Sequence, residues 1–175
     1  MKLRTASLLL AIALCTVANS SRADEKTTPV CAQRFEALKK LAGDWVELGK
    51  DGKATDKVIS SIRVTSAGSA IQETLFPGSD HEMVTMYHLD GDDLVLTHYC
   101  SLGNQPRLRA EPGTDVNKIV FKFVSSTNLK SRDDHHINGA TLTLDGKDHF
   151  KAEWVSCKDG KPCHQINMDL VRKQK

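Results

Sequence analysis

Neither sign of charge prevails in this chain of 175 residues, where 24 lysines and arginines face 22 aspartates and glutamates. So near a balance leaves no basic footprint for nucleic acid or an anionic membrane surface. Long hydrophobic runs are missing too. The one apolar stretch, Ala6–Ala18, is too short to span a bilayer. The composition, 39% hydrophobic, is not that of a disordered, collagenous or polytopic membrane chain. The familiar catalytic signatures are absent: no phosphate-cradling glycine loop, no Gly-x-Ser-x-Gly elbow, no His-Glu-x-x-His and no zinc-type cysteine pair. The Asp-Gly turns do not repeat oxygen ligands at alternate positions, as a calcium loop must. These absences point away from an enzyme and leave metal ligands unassigned.

What is present begins with an address. Lys2 and Arg4 precede the apolar run, and Ser21-Arg22-Ala23 places small residues where a signal peptidase inspects the chain. The reading is a signal peptide over 1–23 and one domain over 24–175, exported to the periplasm or secreted, with no stable membrane anchor. Cys15 ends the apolar stretch, but the bulky Leu14 before it argues against a lipoprotein site. Cleavage removes Lys2, Arg4 and Arg22 and no acid, so 21 basic residues remain against 22 acidic ones, a formal charge of −1. Four cysteines remain: Cys31, Cys100, Cys157 and Cys163. In an oxidising compartment an even number suggests disulfides, with three connectivities open.

One helix is expected. Thr28 supplies a capping hydroxyl, Pro29 the first helical position, Cys31, Phe35, Leu38 and Ala42 an apolar face, and Gly43 the stop. Everything beyond reads as about nine or ten short strands joined by tight turns. The clearest hairpin runs from Met83–Leu89 through Asp90-Gly91-Asp92-Asp93 to Leu94–Cys100. Ile119, Phe121 and Phe123 alternate with Lys122, and Ser125–Gly139 reads as a long polar loop. Successive hairpins imply antiparallel order, and so many strands must hide their edges. The fold expected is all-β: a single antiparallel up-and-down barrel of about eight to ten strands with one short N-terminal helix.

Gly43-Asp44-Trp45 opens the first strand, and Arg172 lies on the last. This pattern resembles the signature of the calycin group (lipocalins, fatty-acid-binding proteins and relatives). The resemblance implies an indole at the closed end of a barrel with a basic side chain of the final strand across its ring, a favourable cation–π contact. The middle of the chain, Tyr87-His88-Leu89-Asp90-Gly91-Asp92 through Gly103-Asn104-Gln105-Pro106-Arg107, departs from classical lipocalins. It looks more like small uncharacterised bacterial exported lipocalin-like proteins, which carry over no activity. Haem-binding barrels of the nitrobindin type are neighbours, but their ligand motif has no counterpart here.

A two-residue turn would pair Leu89 with Leu94, Tyr87 with Leu96, Thr85 with His98 and Met83 with Cys100. That face would point inward and bring His98, Tyr87 and Thr85 into the lumen. His98 is then a ligand contact, a haem or metal ligand, or a hydroxyl-bonded core histidine. The opposite face, with Val84, Met86, His88, Val95, Thr97 and Tyr99, is also apolar enough to face in. Glu73 is either an inward carboxylate held by Arg107 or Arg109, a head-group site, or an outward one. His135 and His136, with His149 and His164, read as surface residues without metal-ligand spacing. Cys157 and Cys163 bracket a turn and are placed to bond, leaving Cys31 and Cys100 as a second pair. A thiol catalyst at Cys100 beside His98 would need a reduced compartment and an orienting partner, and the sequence shows neither.

Three functions follow. The first is a non-enzymatic barrel holding a small apolar or amphipathic molecule. The second is a haem or metal module through His98. The third is a solidly packed barrel that binds partners by its loops. Oligomeric state and ligand identity are not encoded in any visible pattern.

Overall fold

The computed structural model describes residues 29–174. The expected signal peptide over 1–23, and Thr28, lie outside these described residues. One helix, α1 (Val30–Lys39), precedes ten strands: β1 (Gly43–Leu48), β2 (Ala54–Thr65), β3 (Ala70–Leu75), β4 (Met83–Asp90), β5 (Asp93–Tyr99), β6 (Gln105–Ala110), β7 (Lys118–Thr127), β8 (His136–Asp145), β9 (His149–Lys158) and β10 (Lys161–Arg172). Each strand pairs with its sequence neighbour, and β1 pairs with β10, so the sheet closes into an antiparallel up-and-down barrel. Closure leaves no unpaired strand edge, which is how so many strands avoid templating aggregation.

The hairpin between β4 and β5 sets the register of one wall. Asp90 faces Asp93 across Gly91-Asp92, and Leu89–Leu94, Tyr87–Leu96 and Thr85–His98 follow in step. The period of two then sends Thr85, Tyr87, Leu94, Leu96 and His98 inward, where all are buried. The alternative face of Val84, Met86, His88, Thr97 and Tyr99 is the outer one.

Local expectations are corrected at several boundaries. Pro29 stands at the N-cap position rather than the first helical one, with no side-chain cap. Gly43 does not end the helix, whose C-cap is Lys40. The polar loop is shorter than Ser125–Gly139, because β7 runs to Thr127 and β8 starts at His136. Backbone pairing with β6 and β9 recruits those polar residues into strands, overriding their turn propensity.

The helix closes one end. Phe35, Leu38 and Leu41 are buried there, each contributing about 1.5–3 kcal/mol by removal from water. The buried Arg34 donates to the carbonyls of Glu111 and Asp115 in the β6–β7 loop at 2.8 and 2.9 Å. Above this floor the interior is filled by Trp45, Phe121, Phe150, Leu94, Leu96, Leu108, Ile119 and Leu170. The opposite end is bounded by the β3–β4, β5–β6 and β7–β8 loops and stays open.

Both expected disulfides are corrected. All four described cysteines are free. The β9–β10 register slips between Pro162 and His164, so Cys157 lies opposite Pro162. Cys163 is displaced onto the bulge, exposed, its thiol donating to the Ser156 carbonyl at 3.6 Å. Cys31 sits on α1 beneath the closed end, whereas Cys100 begins the β5–β6 turn at the open one.

Candidate functional site

At the seam, Trp45 lies directly opposite Arg172. The guanidinium carbon is 4.4 Å from the indole centroid. Its nitrogens also donate to the carbonyls of Ala42, Lys40 and Lys147 at 2.8, 3.0 and 2.6 Å, and to the Asp148 carboxylate at 2.9 Å. Trp45 Nε1 donates to the Leu41 carbonyl at 2.8 Å. The two side chains therefore satisfy the carbonyls of the short turn, Lys40 to Ala42, that joins α1 to β1. Gly43 has a φ of 139°, and a Cβ there would meet Arg172 Nη1 at 2.6 Å. Only glycine permits both that backbone and that approach. This end is a structural lock.

Above it, Glu73 is an inward, buried carboxylate. It accepts from Ser60 Oγ at 2.7 Å and Tyr87 Oη at 2.6 Å. Burial pushes its pKa up, and the two hydroxyl donors pull it part of the way back. Burial, then the neighbouring carboxylate, drives the Tyr87 phenol well above its ordinary range. The expected partners Arg107 and Arg109 are corrected. β6 turns Pro106, Leu108 and Ala110 inward, so both arginines point outward and pair with Asp90 at 2.7 Å and Asp93 at 3.3 Å. The void beside Glu73 measures about 10 Å³, no larger than one water needs.

The open end holds a cavity of about 160 Å³. Its walls are mostly apolar, from Leu75, Met83, Ile137, Trp154 and Met168, and Leu102 and Ile166 form an exposed apolar rim. Phe76 joins the lining with a φ of 52°, a left-handed backbone that disfavours a bulky residue by about 1–2 kcal/mol. Strain of this kind gathers at ligand clamps.

Into this cavity projects His98. The ring is only 2% exposed, and burial lowers its pKa to about 4, so it is neutral at pH 7. It leans on Trp154 with ring centroids 5.0 Å apart. Its Nδ1 meets Thr85 Oγ1 at 2.9 Å. Thr85 is wholly buried, and among the described residues its hydroxyl has no other acceptor, so it donates to Nδ1. The hydrogen of the neutral imidazole is therefore on Nε2, which has no protein partner among the described residues and faces the cavity. The arrangement is a mostly apolar chamber whose wall carries the His98 Nε2–H and the His135–Ser156 pair, while the indole N–H of the lining Trp154 is buried with no partner among the described residues.

Sequence reasoning placed His98, Thr85 and Tyr87 on the inner face and left Glu73 open between inward and outward; all four face in, but only His98 reaches the cavity. Thr85 lies behind it, and Tyr87 and Glu73 are sealed below. Missed were Trp154, Ser156 and His135. The alternation Phe150, Ala152, Trp154, Ser156 carried the signal for the first two. The surface reading of His135 and His136 is corrected. His135 lines the cavity, with Nε2 3.0 Å from Ser156 Oγ, and His136 is buried with Nδ1 donating to the Asp134 carbonyl at 2.6 Å.

A haem does not fit this site. A cavity of about 160 Å³ is far too small for a porphyrin, and His98 turns a hydrogen rather than a lone pair to the lumen. No group of three His, Cys, Asp or Glu side chains among the described residues is placed to hold a metal ion. Searches against protein-family models and against curated proteins find no match to this chain. The closed antiparallel barrel is compatible with a calycin-like fold.

Proposed function

We propose that the protein is an exported binding protein of calycin type that holds a small, mostly apolar molecule carrying one hydrogen-bond acceptor. The observation that supports this reading most is His98: buried, neutral, fixed by Thr85, and turning Nε2–H toward a mostly apolar cavity. Nε2 has no protein partner among the described residues, and an acceptor on the ligand gives it a hydrogen bond worth about 0.5–1.5 kcal/mol. The apolar walls supply affinity, and the His98 donor supplies orientation. Because the lower barrel is filled with side chains, the ligand is short, lodged at the mouth rather than threaded along the axis. Export is supported by the basic start at Lys2 and Arg4, the Ala6–Ala18 run and the small residues before Asp24.

Trp154 beside His98 provides an optical probe. Titration with benzylacetone, a short aromatic ketone, and with butylbenzene, which has the same shape but no acceptor, tests the reading. The ketone is expected to bind about tenfold more tightly, one hydrogen bond's worth, and His98→Phe should abolish the difference. Failure of both compounds to perturb Trp154 fluorescence or thermal stability would sink the reading in favour of a packed interaction module.

A further inference from the structure

The cavity contains a nucleophile that simple binding does not use. Cys100 lies two residues beyond His98, begins the turn after β5, and lines the same cavity. Side chains two apart on a strand project to one side about 7 Å apart along the backbone. Cys100 is half-buried and free, and neither of its neighbours in the lining is another cysteine. A thiol and an N–H donor thus line one small, mostly apolar chamber.

We propose that Cys100 captures α,β-unsaturated carbonyl compounds of short, apolar kind by conjugate addition, with His98 Nε2–H hydrogen-bonded to the carbonyl oxygen. This rests on the binding reading given above and names the ligand class for the same cavity. The thiol first gives its proton to water. The thiolate sulfur then forms a bond to the β-carbon, and the electron pair of the carbon–carbon double bond moves toward the carbonyl oxygen. His98 donates to the enolate oxygen as its charge develops, and a water proton reaches the α-carbon. Nothing is oxidised or reduced and no group leaves, so no co-reactant is required. A donor already aimed at the developing oxyanion, in a mostly apolar cavity, is worth more than the same donor in bulk water. Thr85 is the positioning residue that keeps the hydrogen on Nε2.

The other thiols serve as internal controls. Cys163 is exposed on β10, Cys157 is buried, and Cys31 belongs to the helix. A general alkylating reagent therefore favours Cys163, whereas a ligand that enters the cavity favours Cys100.

Intact-mass analysis and peptide mapping after exposure of the full chain to benzylideneacetone test this, with iodoacetamide as the general reagent. The expected result is a single adduct on Cys100, with a Cys100-to-Cys163 ratio at least about tenfold higher than iodoacetamide gives. His98→Phe should lose that preference, and His98→Gln, which retains an N–H donor, should recover part of it. Benzylacetone, the saturated analogue, should slow the labelling. Equal labelling of Cys163, or a rate unchanged in His98→Phe, overturns the inference. If benzylacetone binds but no adduct forms, covalent capture falls while the binding reading stands. If benzylacetone neither binds nor protects, both fall. Urea midpoints of the variants identify any loss of labelling that comes from unfolding, and Cys100→Ser labelled elsewhere at the same rate also overturns it.

Discussion

The guanidinium of Arg172 covers the indole of Trp45 at 4.4 Å, across the seam where the last strand meets the first. It is at once a cation–π partner and a cap for the carbonyls of Lys40 and Ala42 at the end of α1. One side chain therefore ties the helix, the seam and the β8–β9 turn together.

Removing it should be felt globally. Arg172→Met is expected to lower unfolding free energy by about 3 kcal/mol, the sum of charge-assisted hydrogen bonds and the ring contact less the burial that methionine retains. Arg172→Lys should recover little, since an ammonium has no planar fork. Gly43→Ala should cost about 2 kcal/mol or more, because both the backbone and Arg172 must move. Urea denaturation of the three variants measures these values; losses under about 0.5 kcal/mol would show that the lock is decorative.

Thr85 decides which nitrogen of His98 carries the hydrogen. In Thr85→Val the ring loses that constraint and should populate both tautomers, visible in long-range proton–nitrogen spectra of the imidazole. Affinity for benzylacetone should fall by several-fold, about 1 kcal/mol, with the apolar analogue unaffected. A wild-type spectrum showing the hydrogen on Nδ1 would contradict the geometry argued for the site.

His98 also gives the protein an acid limb. Its pKa is about 4 when folded, against 6.5 ordinarily. Between those values the unfolded chain binds a proton that the folded one refuses. Its contribution is therefore complete above pH 6.5 and lost as pH falls toward 4, about 3 kcal/mol in all. Comparison of wild type with His98→Phe in denaturant titrations across pH 4–7 should show this slope only in the wild type. His149, bonded to Asp169 at 2.5 Å and Asp145 at 3.1 Å, has its pKa raised. Its contribution has the opposite sign: present below its ordinary range and lost as pH rises through the raised value.

Glu73 is a buried acid whose pKa lies above its ordinary 4.5. Its contribution is present below 4.5 and declines as pH rises through the folded value, since the unfolded chain releases the proton more readily. Glu73→Gln keeps an acceptor for one of the Ser60 and Tyr87 hydroxyls while removing the charge. At pH 8 it should be neutral or stabilising by about 1 kcal/mol, and near pH 4 indistinguishable from wild type. Strong destabilisation at pH 8 would mean that the carboxylate charge itself holds the network.

Much of this molecule follows from information that is local along the chain. Turn chemistry at Asp90–Asp93 together with strict alternation places Thr85, Tyr87, Leu96 and His98 on one face, because a period of two depends only on backbone geometry. The strands and their antiparallel order are legible for the same reason. What neighbouring faces do to one another is different, since it depends on how ten strands are sheared and bulged around a ring. A slip at Pro162/His164 separates Cys157 from Cys163, the direction of β6 removes Arg107 and Arg109 from Glu73, and Ser60 of the neighbouring strand β2 takes their place. The cavity belongs to that second kind. Trp154, on β9, meets His98, on β5, only because the barrel closes, and packing at the floor leaves its empty volume at the mouth.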